Sequence, residues 1–150
     1  MPIVDLTLAE GSLELQKRQE LLDRVGRIAI DYEGLSGSKF AESFTWVYLH
    51  ELPAAHVTQV SGNPPKPLYR FVFTTLQTLL DNDSKHRLGE DVARAVYEVE
   101  GAKWDPKEAH NRIWVFYDDY RQGDWIVGGQ INAIKDLRAE VERERTKAAA

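Results

Sequence analysis

The sequence predicts an α/β protein built from two consecutive βαβ units, joined into one four-stranded sheet with two helices on one face. Three observations predict it. Apolar residues switch from a period of two to a period of three or four and back again. The switch happens twice. A proline-rich stretch, Ser61-Gly62-Asn63-Pro64-Pro65-Lys66-Pro67, separates the two occurrences.

The first unit spans 2–51. Ile3 to Leu8 alternate and read as a strand, and Gly11-Ser12 breaks the pattern. Leu21, Leu22, Val25, Ile28, Ala29 and Tyr32 then recur at helical spacing, with Gly34 and Gly37 as the stop. Phe44 to His50 is dense in aromatic and branched residues and reads as the second strand, ending at Glu51-Leu52-Pro53. After the linker at 61–67, the second unit spans 68–118. Leu68 to Leu76 is a strand, and Asp81-Asn82-Asp83-Ser84 is a turn and cap. Leu88, Val92, Ala95, Val96 and Val99 mark a helical face ending at Gly101, and Ile113 to Tyr117 is the fourth strand. The remainder, 124–150, opens on a short β or turn element, Trp125 to Gly129. It closes on a charged helix with Ile131, Ile134, Leu137 and Val141 on one side, expected to pack on a neighbour or to fray at its end.

A chain of 150 residues with 43% hydrophobic content makes one domain with a real core. With helices on one face only, the opposite face, rich in Trp and Tyr, needs cover, so the sequence predicts an oligomer. The absence of cysteine excludes disulfides, thiolate nucleophiles and thiolate metal sites. His50, His56, His86 and His110 fall on different elements without paired ligand spacing, so no metal and no cofactor are expected. A net charge of −5 gives no electrostatic reason to bind nucleic acid or anionic lipid. No run approaches the roughly 18 apolar residues of a membrane span, and no basic segment leads into an apolar one at the start; a cytoplasmic location is the expectation.

Proline directly after Met1, leading straight into a strand, together with the doubled βαβ plan, resembles the tautomerase superfamily, and most nearly its cis-3-chloroacrylic acid dehalogenase group. Gly34-Leu35-Ser36-Gly37, Glu51-Leu52-Pro53-Ala54 with Val57, Lys85 with Leu88, and Ile113-Trp114-Val115 carry the resemblance in order along the chain. It implies a homotrimer with a site for a small molecule near each amino-terminal proline, and Pro2 as general acid or base. That role requires removal of Met1, because an acylated nitrogen has no basic lone pair.

The group's other site residues transfer poorly. Tyr32 stands where its members have a histidine, Gln77 and Leu80 where they have two arginines, Phe116 where they have a tyrosine, and Val127 where they have a glutamate. Glutamine and leucine cannot reproduce an arginine pair's grip on a carboxylate. The remaining candidates are Arg70, Arg121 and Lys39 as cations for an anionic substrate, Tyr32 and Gln77 as polar partners, and Asp124 as a water-positioning carboxylate. Tautomerisation of a small enolizable carboxylated substrate demands least of such a site. A cis-3-chloroacrylate dehalogenase or hydratase-type activity is the alternative, and so is a non-catalytic trimer that keeps the fold.

Overall fold

A computed structural model describes residues 2–131 and 134–148, the side chains at 130, 131, 134 and 148 excepted. Four strands form one mixed sheet: β1 (Ile3–Ala9), β2 (Trp46–Leu52), β3 (Tyr69–Leu76) and β4 (Ile113–Tyr120), in the order β2-β1-β3-β4. β1 runs parallel to β2 and β3 parallel to β4, while β1 and β3 meet antiparallel at the centre. Each parallel pair is spanned by one long helix, α1 (Leu15–Tyr32) and α3 (Asn82–Glu100). These are the two βαβ units that the periodicity predicts.

The alternation decides which side chains become core. Val4, Leu6 and Leu8 of β1 and Tyr69, Phe71 and Phe73 of β3 are buried against Leu21, Val25 and Ala29 of α1 and Leu88, Val92 and Val96 of α3. Gly26 lets α1 settle closely on β2, since a Cβ there would stand 3.1 Å from Val47 Cγ2. Asp81 caps α3 by accepting from the Ser84 amide at 2.7 Å, and Gly101 closes it in the left-handed conformation (φ 74°).

Two short helices, α2 (Lys39–Phe44) and α4 (Pro106–Arg112), were not legible as periodic segments. α2 takes Phe44 out of the second strand, which begins instead at Trp46 and runs to Leu52. The cause lies far away in sequence. Helix α5 (Ile134–Ala148) lays Glu144 across the α2 N-terminus, where its carboxylate accepts from Ser38 Oγ at 2.6 Å and from the amides of Lys39 and Phe40 at 3.1 Å. The expectation that the last helix packs on a neighbour is corrected here, while its very end lies outside the described residues. Leu137 and Val141 are buried within the same chain against Ile30, Leu35 and Ala41. Ile131 and Ile134, placed on that face by the sequence, have side chains outside the described residues. Before α5, β5 (Ile126–Val127) and β6 (Gln130–Ile131) pair as a small hairpin.

Among the described residues, no helix covers the other sheet face. Trp46 and Tyr48 of β2, and Trp114 and Phe116 of β4, are 44–58% exposed on it.

Candidate functional site

Pro2 is buried and continues the β1–β2 ladder backwards, its carbonyl accepting from the Trp46 amide at 3.3 Å. Ile3 opposes Thr74, so one further step of the antiparallel register sets Thr75 across from Pro2, with Asp119 beside Thr75 on β4. By alternation Pro2 shares the helix-facing side with Val4, Leu6 and Leu8. Thr75 is buried, and its hydroxyl donates to Asp119 at 3.5 Å. Lys85, in the first turn of α3, donates to the other oxygen of Asp119 at 2.6 Å and lies 5.2 Å from the Tyr117 ring centroid. This end of the sheet therefore holds a neutralised pair, Lys85–Asp119, two strands across from the proline.

A second polar group converges on the same end from α1 and α5. Glu33 is the C-cap of α1 and is only 5% exposed, an unfavourable place for an acid because the helix dipole is negative there. Burial raises its pKa above the ordinary carboxylate value, and the positive charge of Arg138 on α5 pulls the other way. Tyr120, the last residue of β4, presses its ring on Trp125 with centroids 5.9 Å apart. Its hydroxyl is buried with no hydrogen-bond partner among the described residues. Burial first, and the negative charge of Glu33 second, push its pKa up to about 12. An acid and a phenol kept protonated thus influence one another at this end of the sheet, with the charge of Arg138 acting on the acid. That set could move a proton and could donate to a developing oxyanion.

The residues named from the sequence are scattered. Tyr32 donates to Asp91 on α3 at 2.8 Å and packs against the main core. Gln77 is exposed just past β3, its amide donating to the Tyr120 carbonyl at 2.9 Å. Arg121 and Asp124 close one turn on each other: the Arg121 amide donates to the Asp124 carboxylate, and the Asp124 amide to the Arg121 carbonyl, both at 3.1 Å. Lys39 is exposed at the start of α2. Arg70 opposes Thr7 and reaches over the Phe116 ring at 5.3 Å on the open face. It is five residues along the sheet from the level of Pro2, about 17 Å at the usual strand rise. Leu80 is a core residue. Sequence reasoning passed over Glu33, Tyr120 and Arg138. The one available signal was an acid at a helix C-terminus, directly after the Tyr32 that had drawn attention.

Among the described residues no cluster of three or more His, Asp or Glu could hold a metal ion, and no helix is long and apolar enough to cross a membrane.

No family model matches the chain, and no curated protein matches it. Solved structures do. The protein Pt0534, inactivated by 2-oxo-3-pentynoate, aligns with a TM-score of 0.70 at 20% identity, over 89% of this chain and 98% of its own. A native fused 4-OT aligns at 0.68 and 22%, over 91% and 97%. A member of the cis-3-chloroacrylic acid dehalogenase family aligns at 0.68 and 12%, over 94% and 99%. Other matches include fused 4-OT trimers and a malonate semialdehyde decarboxylase inhibited by 3-bromopropiolate. The chain therefore has the fold of these tautomerase-superfamily structures, the superfamily that its own motifs resemble.

Proposed function

We propose that the protein is a tautomerase-type enzyme in which Pro2, freed by removal of Met1, is the general acid and base acting on a small enolizable carboxylated substrate. One observation carries the reading: Pro2 is buried at the head of β1, at the sheet end where Glu33, Tyr120 and the Lys85–Asp119 pair also lie. A secondary amine in that position is rigid and poorly hydrated, so its proton affinity is set by the groups around it rather than by water. The Tyr120 hydroxyl supplies a donor for an enolate oxygen. Arg138, whose charge reaches Glu33, is the anchor for the substrate carboxylate, a role that Arg70 in the same subunit is too far from Pro2 to fill. The active form is a homotrimer, as in the fused 4-OT structures, with the exposed aromatic face inside.

The test is ketonisation of phenylpyruvate or 2-hydroxymuconate by wild type and by Pro2→Ala, with mass spectrometry of the amino terminus after exposure to 2-oxo-3-pentynoate. The expected result is a rate well above buffer that collapses in Pro2→Ala, and an adduct on Pro2. Rates near background in both proteins, with no adduct, overturn the reading in favour of a non-catalytic trimer.

A further inference from the structure

At the sheet end remote from Pro2, a cavity of about 550 Å³ opens between the segment 56–60 and the ends of β1, β3 and β4. That volume is in the range of small-molecule sites. Thr7, Arg70 and Trp114 stand in one register row across those three strands and all line it.

The walls are braced. Gln59 and Gly62 exchange backbone hydrogen bonds at 3.0 and 2.9 Å, and Gln59 Nε2 donates to the Asn111 carbonyl at 3.3 Å. These bonds tie the segment 56–60 to the end of α4. Trp114 Nε1 donates to the His110 carbonyl at 3.0 Å, which fixes the indole in one orientation.

The charge in the cavity is one-sided. None of the described residues that line it is acidic, although the whole chain carries a net charge of −5. Arg112 reaches the wall but is engaged by Glu100 and Glu108. Arg70 has no ion pair and no hydrogen bond among the described residues, and its guanidinium lies over the Phe116 ring at 5.3 Å. Asp5, two residues before Thr7 on the same face of β1, pairs with His50 at 2.5 Å instead. A guanidinium stacked on a ring keeps its N–H edge free, and that edge matches a carboxylate in two-pronged fashion.

We propose that this cavity is a second ligand site, separate from Pro2, that takes a small monocarboxylate with a flat apolar body. The carboxylate pairs with Arg70, and the body lies between the Trp114 indole and the segment 56–60. Leu8, Leu52, Val57 and Leu68 make the remaining lining mostly apolar. One guanidinium in such surroundings suits a singly charged amphipathic acid, whereas a phosphate would need more donors. Arg70 lies about 17 Å along the sheet from the level of Pro2, so the site does not depend on the proline's chemistry.

The experiment is calorimetric titration of the assembled protein with 2-naphthoate and with its neutral counterpart 2-naphthamide, with amide chemical shifts locating the ligand. One naphthoate should bind per subunit, at least about tenfold more tightly than the amide. Shifts should change at 56–60 and 111–114 and stay fixed at 2–4. Arg70→Met keeps an apolar stem over Phe116 without the charge, so it should erase the preference for naphthoate and leave naphthamide affinity unchanged. Binding of both ligands should survive in Pro2→Ala. Comparing the two ligands on wild type needs no variant, so it stands if Arg70→Met does not fold. Equal affinity for the two ligands overturns the proposal. So does the absence of binding to the assembled protein, the result expected if a neighbouring subunit's carboxylate fills the cavity. Loss of naphthoate binding in Pro2→Ala also overturns it, by assigning the ligand to the proline's own site.

Discussion

Arg112 organises the polar half of the second unit. It is 4% exposed, pairs both terminal nitrogens with Glu100 at 2.8 and 2.6 Å, and donates from Nε to Glu108 at 3.0 Å. Its guanidinium lies 4.5 Å from the Tyr97 ring centroid, and Tyr69 donates to Glu100 at 2.9 Å. Arg112→Ala would leave the Glu100 carboxylate in place with its main partner gone, which costs about 3–5 kcal/mol in comparable buried pairs. The expected result is a large fall in the urea midpoint, only partly recovered by Arg112→Lys, because one ammonium cannot replace the two-pronged contact. Glu108 gives the same cluster an acid limb. Donation from Lys66 first, and from Tyr97 second, depresses its pKa from 4.5 to about 2. A depressed carboxylate contributes stability that is complete above its unfolded pKa and is lost as pH falls through the folded one. The Glu108 contribution should therefore fade between about pH 4.5 and 2, and Glu108→Gln should flatten that part of the melting-temperature profile. At this scale the sequence was partly legible. Pro2 and the caps announce themselves locally, whereas the burial of Glu33 depends on α5, which begins a hundred residues later.

Among the elements, α1 and α3 were readable because each buries a stripe of its own residues, so the period carries the information. α2 was not. Its residues run into a β-like string, and what makes them helical is the Ser38 cap together with the Glu144 carboxylate on the first amides. α2 and α5 thus form one clasp, polar at one end and apolar at Leu137 and Val141. Contacts at Glu144 hold its pKa below the ordinary carboxylate range, the Ser38 hydroxyl first. Its contribution is therefore present above the unfolded carboxylate pKa and is lost on acidification below it. Leu137→Ala, in a pocket shared with Ile30 and Leu35, should cost about 2–5 kcal/mol of the clasp's own stability. The loss should be local. Trypsin should cut α5 at Arg138 or Arg143 much faster than in wild type, while amides of β1 and β3 keep their hydrogen-exchange protection. Equal loss of protection in α5 and the sheet would show that the clasp and the sheet unfold as one unit.

For the molecule as a whole, the sheet is two-faced in a way the alternation foretold. One face is filled by α1 and α3. The other presents Trp46 and Tyr48 on one edge strand and Trp114 and Phe116 on the opposite edge strand, exposed aromatic pairs of the kind that cover is expected to bury. Arg70 lies across this surface and shields part of Phe116. Phe116→Asp separates folding from assembly. In an isolated subunit the new carboxylate stands at an exposed position beside Arg70, so the subunit should keep its secondary structure and melt cooperatively. Between subunits the same carboxylate must lose its water inside an aromatic interface, at a cost of several kcal/mol for an unsatisfied charge. Sedimentation velocity should give a trimer for wild type and a folded monomer for Phe116→Asp, with the Pro2-dependent rate falling if a neighbouring subunit completes the site. A variant that still sediments as a trimer would place the interface elsewhere on the subunit, and would return Arg70 and the open face to a role within one chain.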